Sequence, residues 1–171
     1  MQLFLINFQK KFNKIQNNQL QKKYSKFFVQ YILKNFFNIN DSLKKEEDGK
    51  PYLEKNSFKI SISHSEDLIA ILFDKNDCGV DIEKIKQRNY EKILSRFNIQ
   101  KKLSLKEFYQ WWTIFEAEFK SKIKQETINF EYKNFICGIS SFDKSLVAFE
   151  INFKSNHKDF LFEKYEIQDF L

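Results

Sequence analysis

The chain has 171 residues, 42% of them hydrophobic and 30% charged, which is the size of one ordinary domain with enough apolar material for a core. One Pro and three Gly exclude a linker-rich or collagen-like chain, and 18% aromatic residues, 21 Phe among the chain's residues, exclude a disordered one. Cys78 and Cys137 are too few for a disulfide framework and lie in no zinc-type cluster, so the expectation is a reduced, intracellular protein with structural thiols. No stretch approaches the roughly 20 apolar residues that span a bilayer. The start, MQLFLINFQKKF, runs from apolar to basic, the reverse of a secretory leader, and reads as a strand. A soluble, cytoplasmic chain is expected.

The net charge of +6 is unevenly spread. Residues 1–40 carry seven Lys and no acid, whereas the remainder carries 22 basic and 23 acidic residues. Such asymmetry points to an anionic partner: nucleic acid, a phosphate ligand or an acidic protein. Lys outnumbers Arg 27 to 2, and a coding bias toward Lys, Asn, Ile and Phe accounts for much of the Lys count. It does not account for the missing acids.

In chain order, after the first strand, Gln19–Phe37 reads as an amphipathic helix, with Leu20, Tyr24, Phe27, Phe28 and Tyr31 on one stripe and Lys22 and Lys26 off it. Residues 38–50 form a polar loop. Phe58–Ser63 alternates as a half-buried strand, with Phe58, Ile60 and Ile62 on one face and Lys59, Ser61 and Ser63 on the other. Leu68–Phe73 is a continuous apolar run, a buried strand. A turn at Asp74–Asp77 separates it from Gly79–Glu83, and a hairpin is expected there. Helices follow at about Tyr90–Phe97 and Leu105–Lys124, then strands at Phe135–Ser140, Leu146–Phe153 and Phe160–Ile167. The mixed order predicts an α+β fold.

Four constellations could carry chemistry. Asp81 and Glu83 lie on one face of a strand, and two adjacent carboxylates suit a divalent cation held by oxygen; a solvent-facing acidic strand is the plain alternative. Glu116 and Lys120 stand i,i+4 on the second helix, either a surface ion pair or a third carboxylate and a phosphate-neutralising amine. Trp111-Trp112-Thr113 precedes them by one turn. Ser63-His64-Ser65 lacks the geometry of a nucleophile–base pair, since neighbours on a strand point apart, so His64 is either a donor to an anionic ligand or a turn histidine. Gly49-Lys50-Pro51 is a rigid turn presenting Lys50, or simple punctuation before a strand.

Taken in order, Gly49-Lys50-Pro51, Phe58-Lys59-Ile60-Ser61-Ile62-Ser63-His64-Ser65, Gly79-Val80-Asp81-Ile82-Glu83 and Trp112-Thr113-Ile114-Phe115-Glu116-Ala117-Glu118-Phe119-Lys120 resemble the phosphopantetheinyl transferases. The likeness is to the larger, two-lobed type that activates surfactin synthetase. Ser25-Lys26-Phe27-Phe28-Val29 resembles that family's early basic helix. The resemblance implies Mg²⁺-dependent transfer of the phosphopantetheine arm of coenzyme A to a serine of an acyl or peptidyl carrier protein, as in holo-[acyl-carrier-protein] synthesis for fatty acid biosynthesis. It implies Asp81, Glu83 and Glu116 as magnesium ligands, Asp81, Glu116 and Lys120 as catalytic residues, and Lys22, Lys26, Lys50, Pro51, Ser63 and His64 as coenzyme A contacts. Glu116 or a water on the ion would take the serine proton.

The expected architecture is two small pseudo-repeated lobes, residues 1–75 and 76–171, each with antiparallel strands packed on helices. Coenzyme A would lie in the cleft between them, and the chain would act as a monomer. The pattern has departures. Phe115 stands where the family has Lys, Asn98-Ile99-Gln100 replaces an acidic residue after Arg96-Phe97, and Ser121-Lys122-Ile123-Lys124-Gln125 replaces a Gly-rich segment. A catalytically weak or inactive coenzyme A-binding relative is therefore one alternative. A basic nucleic-acid-binding protein is the alternative from another class, although no RNA-binding aromatic signature or helix-turn-helix supports it.

Overall fold

The structure is a computed structural model and describes residues 1–8, 14–153 and 161–165. Its elements are β1 (Gln2–Phe8), α1 (Lys14–Asn35), β2 (Leu43–Lys45), β3 (Pro51–Leu53), β4 (Lys59–Ser65), β5 (Leu68–Asp74), β6 (Gly79–Lys84), α2 (Glu91–Arg96), α3 (Leu105–Ser121), β7 (Glu126–Tyr132), β8 (Phe135–Ser141), β9 (Val147–Phe153) and β10 (Leu161–Tyr165). The fold is α+β with mainly antiparallel sheets. Five strands pair in the order β10-β9-β1-β5-β4, three in the order β6-β8-β7, and β2 with β3. Among the described residues, the β1–β9 pairing alone is parallel. Among the described residues no helix is long and apolar enough to cross a membrane.

Period-two alternation distributes the core. On β1, Leu3 and Leu5 face a cluster shared with Val80, Ile82, Cys137 and Ile139 of the three-stranded sheet. Phe4 and Ile6 face a second cluster with Phe28, Val29, Ile32 and Leu33 of α1. On β5, Leu68, Ala70 and Leu72 join the first cluster, while Ile69, Ile71 and Phe73 join the second. A strand covered on both faces reads as an unbroken apolar run, which explains Leu68–Phe73. A third cluster, with Leu94, Phe108, Tyr109 and Ile136, lies beneath α2 and α3. The order of layers is thus α1, five-stranded sheet, three-stranded sheet, and α2 with α3. Both cysteines are free and buried in this interior, and burial pushes the Cys78 thiol up to about 12.

Several expectations need correction. β6 does not form a hairpin with β5. Both edges of β5 are occupied, by β1 and β4, so β6 passes to the other layer and pairs with β8. The predicted loop at 38–50 contains β2, and β7 was not expected at all. α1 spans Lys14–Asn35 rather than Gln19–Phe37, and its core face is Phe28, Val29, Ile32 and Leu33, with Phe27 exposed. α3 begins at a capping box between Ser104 and Glu107 and stops at Ser121, because Lys122 turns left-handed (φ 63°). Of the strand expected at Phe160–Ile167, Phe160, Glu166 and Ile167 lie outside the described residues, and β10 covers Leu161–Tyr165.

α3 rests directly on β6 and β8 at two glycines. A Cβ on Gly79 would lie 1.8 Å from the Ala117 carbonyl oxygen, and one on Gly138 would lie 2.5 Å from the Thr113 carbonyl carbon. Neither backbone can yield locally. Gly79→Ala is expected to destabilise the fold by about 3 kcal/mol, lowering the melting temperature by on the order of 10 °C. Calorimetry showing no shift would mean that α3 does not seat on β6 as described.

Candidate functional site

β6 is an edge strand, and the way its edge is satisfied builds the site. The backbone N–H groups of Val80, Ile82 and Lys84 point away from β8 and donate to Ser61 Oγ (3.0 Å), Ser63 Oγ (3.3 Å) and Ser65 Oγ (3.1 Å). These serines form one face of β4, whose opposite face, with Ile60 and Ile62, packs toward α1. Alternating hydroxyls thus stand in for a missing neighbouring strand. The Val80 carbonyl on the same edge accepts from Lys120 Nζ at 3.1 Å.

Asp81 and Glu83 share the α3-facing side of β6. Asp81 Oδ1 accepts from Ser63 Oγ (2.8 Å) and from Lys120 Nζ (2.7 Å), while its buried Oδ2 has no hydrogen-bond partner among the described residues. Glu83 Oε2 accepts from Ser65 Oγ at 3.0 Å. Lys120 therefore reaches across to Asp81 rather than pairing along its own helix. Glu116 stands one turn before it on α3. Burial, and secondarily the Asp81 charge, raises the pKa of Glu83, opposed by Ser65, Arg88 and Lys120. Glu116 is raised by the same two causes in the same order, opposed by Lys120. Asp81 thus couples electrostatically to both glutamates.

Among the described residues, no three acidic, imidazole or thiol side chains converge into a closed ligand set. The donor chemistry nevertheless fits a hard divalent cation: an orphaned buried carboxylate oxygen on Asp81 and two more carboxylates whose repulsion from it a cation would relieve.

The other predicted residues gather beside this cluster. Lys22 and Lys26 of α1, Pro51 and His64 line one cavity of about 420 Å³. Gln21 anchors that end of α1 by donating to the Glu66 carbonyl at 3.0 Å. Lys50 and Lys120 line an adjoining cavity of about 270 Å³, and Gly49, Pro51 and Ile62 belong to both walls. Gly49 takes a left-handed conformation (φ 88°) and closes the β2–β3 turn by donating to the Glu46 carbonyl at 2.9 Å. The turn is held to the end of α3 by Lys122, which pairs with Glu46 and Asp48 at 2.8 Å each. Lys50 also faces Asp77 at 4.0 Å. His64 is exposed on one side, and desolvation on the other, with the Lys120 and Lys22 charges, holds its imidazole below the usual range.

Sequence reasoning missed Lys44 and Lys45, which line the first cavity from β2, because their strand was read as loop. It also left Ser61 and Ser65 without a role, although their alternation was legible. Phe115, standing where the resemblance expects Lys, packs against Phe97, Trp111 and Trp112 with ring centroids 4.7, 5.7 and 5.8 Å away. It is part of an aromatic cluster on this helix.

No protein-family model matches the chain. Over 93 residues it is 30% identical to a Haemophilus influenzae protein named "Putative 4'-phosphopantetheinyl transferase"; the match covers 47% of this chain and 40% of that protein. The chain thus spans about two-fifths of the length of this curated relative.

The raised pKa of Glu116 has a consequence for stability. A carboxyl that protonates more readily in the fold than in the unfolded chain costs stability as pH rises through its folded pKa. Glu116→Gln is therefore expected to melt at or above the wild-type temperature at neutral pH, and the difference should vanish at about pH 4. Glu118→Gln, rotated about 200° around the helix, should melt like wild type at both. A lower melting temperature for Glu116→Gln at neutral pH would contradict the described electrostatics.

Proposed function

We propose that the chain transfers the 4'-phosphopantetheine arm of coenzyme A to a serine of an acyl or peptidyl carrier protein. The observation that carries this reading is the meeting of Lys120 and Ser63 on Asp81, beside a cavity walled by Lys22, Lys26 and His64. Acidic and basic groups in such apposition suit a pyrophosphate and its counter-cation. The partial similarity to the Haemophilus influenzae protein supports the same transferase chemistry.

In this reading residues 1–75 supply the nucleotide contacts and residues 76–171 the acid cluster, with coenzyme A between them in a cytoplasmic monomer, while β9 and β10 complete the sheet of β1, β5 and β4. Lys22 and Lys26 meet a phosphate on the ribose. Lys50, Pro51, Ser63 and His64 lie along the nucleotide and pyrophosphate. Asp81, Glu83 and Glu116 would hold Mg²⁺, which when bound neutralises and orients phosphate oxygens. Lys120 leaves Asp81 for the reacting phosphate and offsets its charge. The carrier serine oxygen forms a bond to the phosphorus bearing the pantetheine, the bond from that phosphorus to the bridging oxygen breaks, and adenosine 3',5'-bisphosphate departs. Glu116 is the side chain placed to take the serine proton. Such transfer is mainly positioning and charge stabilisation.

Incubation with coenzyme A, Mg²⁺ and a panel of apo-carrier proteins, followed by intact mass, tests the proposal. One arm should appear on a carrier only when all components are present. Asp81→Ala, Glu83→Ala and Lys120→Met should each lose at least about 100-fold in rate. Folded wild-type protein that modifies no carrier, and instead binds RNA or DNA with a steep salt dependence, would favour the nucleic-acid reading.

A further inference from the structure

We infer that the alternating hydroxyls of β4 are the devices that aim the acid cluster, and that Ser65, which no part of the transfer scheme uses, is a positioning residue for a divalent cation through Glu83. This rests on the reading of Asp81, Glu83 and Glu116 as a cation site. A serine hydroxyl has one proton to donate and two lone pairs to accept with. At Ser65 one lone pair takes the Lys84 N–H at 3.1 Å, and the proton goes to Glu83 Oε2 at 3.0 Å. At Ser63 one takes the Ile82 N–H at 3.3 Å, and the proton goes to Asp81 Oδ1 at 2.8 Å. Each hydroxyl is thus fixed by the backbone of the residue that follows its carboxylate. Each carboxylate is oriented by a group that cannot rotate without breaking the seam.

The repetition makes the arrangement specific. Ser61, the first member of the row, accepts the Val80 N–H at 3.0 Å, and the side chain before Val80 is Gly79, with no carboxylate to aim. Ser61 therefore contributes to the seam alone, whereas Ser63 and Ser65 contribute to the seam and to the acids. Side chains that hold metal ligands from behind commonly change metal affinity by about 10–100-fold when removed. Ser65 has the geometry to act in this way through Glu83, without itself being a ligand.

The test is a titration of the intact protein with Mn²⁺, free Mn²⁺ being read by electron paramagnetic resonance, alongside thermal melting. Ser65→Ala should weaken Mn²⁺ binding by about tenfold. Ser65→Thr, which keeps the hydroxyl, should stay within about threefold of wild type, and Ser61→Ala should lower the melting temperature while leaving affinity within about twofold. If Ser65→Ala does not fold, Ser65→Cys, similar in shape with a weak donor, carries the same expected loss. Wild-type affinity in Ser65→Ala, or an equal loss in Ser61→Ala, would overturn the positioning role and leave the cation site intact. Wild-type protein that takes up no Mn²⁺ would overturn the cation reading, and this inference with it.

Discussion

The hydroxyl seam between β4 and β6 is the constraint on which the rest of the molecule depends. Two sheets that cannot share a ladder are joined by three serines, each accepting a backbone N–H from an exposed strand edge. An unpaired strand edge invites pairing with another chain. Here it is closed by side chains and by Lys120 on the Val80 carbonyl. Closing it in this way leaves β6 with one face toward the five-stranded sheet and the other toward α3, so that Asp81 and Glu83 must point at the helix carrying Glu116 and Lys120.

The cost of that placement is visible in the electrostatics. Asp81 is buried with one oxygen unpartnered, and its charge adds to desolvation in raising both neighbouring glutamates. A protein selected for stability alone would replace such a group with an apolar residue. Retaining it with Lys120 and Arg88 set against three carboxylates leaves a surplus of negative charge in a partly dry setting. Surplus charge of this kind is useful where a cation must be held and a charged substrate brought close.

Much of the fold could be read from the residues, and the failures have physical causes. Alternation marked β4, and the apolar run marked β5, because those patterns record which faces are covered. Neither records which edges are free, and so β6 was paired with its sequence neighbour although β5 had no vacant edge. β2 and β7 were missed because their side chains are largely polar or half-exposed. The acids of the site were legible as a pair on one strand face, but their residues alone favoured a solvated strand over a cation site; the ordered motifs tipped that balance. The serines were legible as a polar face. Polar faces usually meet water, whereas this one meets the backbone of another sheet, and local sequence carries no sign of that.

The parallel pairing of β1 with β9 places Gln2 opposite Val147 and bears on how the chain reaches this state. β1 is flanked by β5 on one side and β9 on the other. The β4–β5 hairpin can form from local contacts, and β1 can join it once the long span from Asn7 to Leu68 has closed. The far side of β1 stays open until β9 has been made, because that partner lies more distant in sequence still. Loop closure over that span is slow relative to local pairing. During synthesis the strand must therefore wait with one row of backbone N–H and C=O groups unpaired, and that interval is when the nascent protein is most exposed to misassociation.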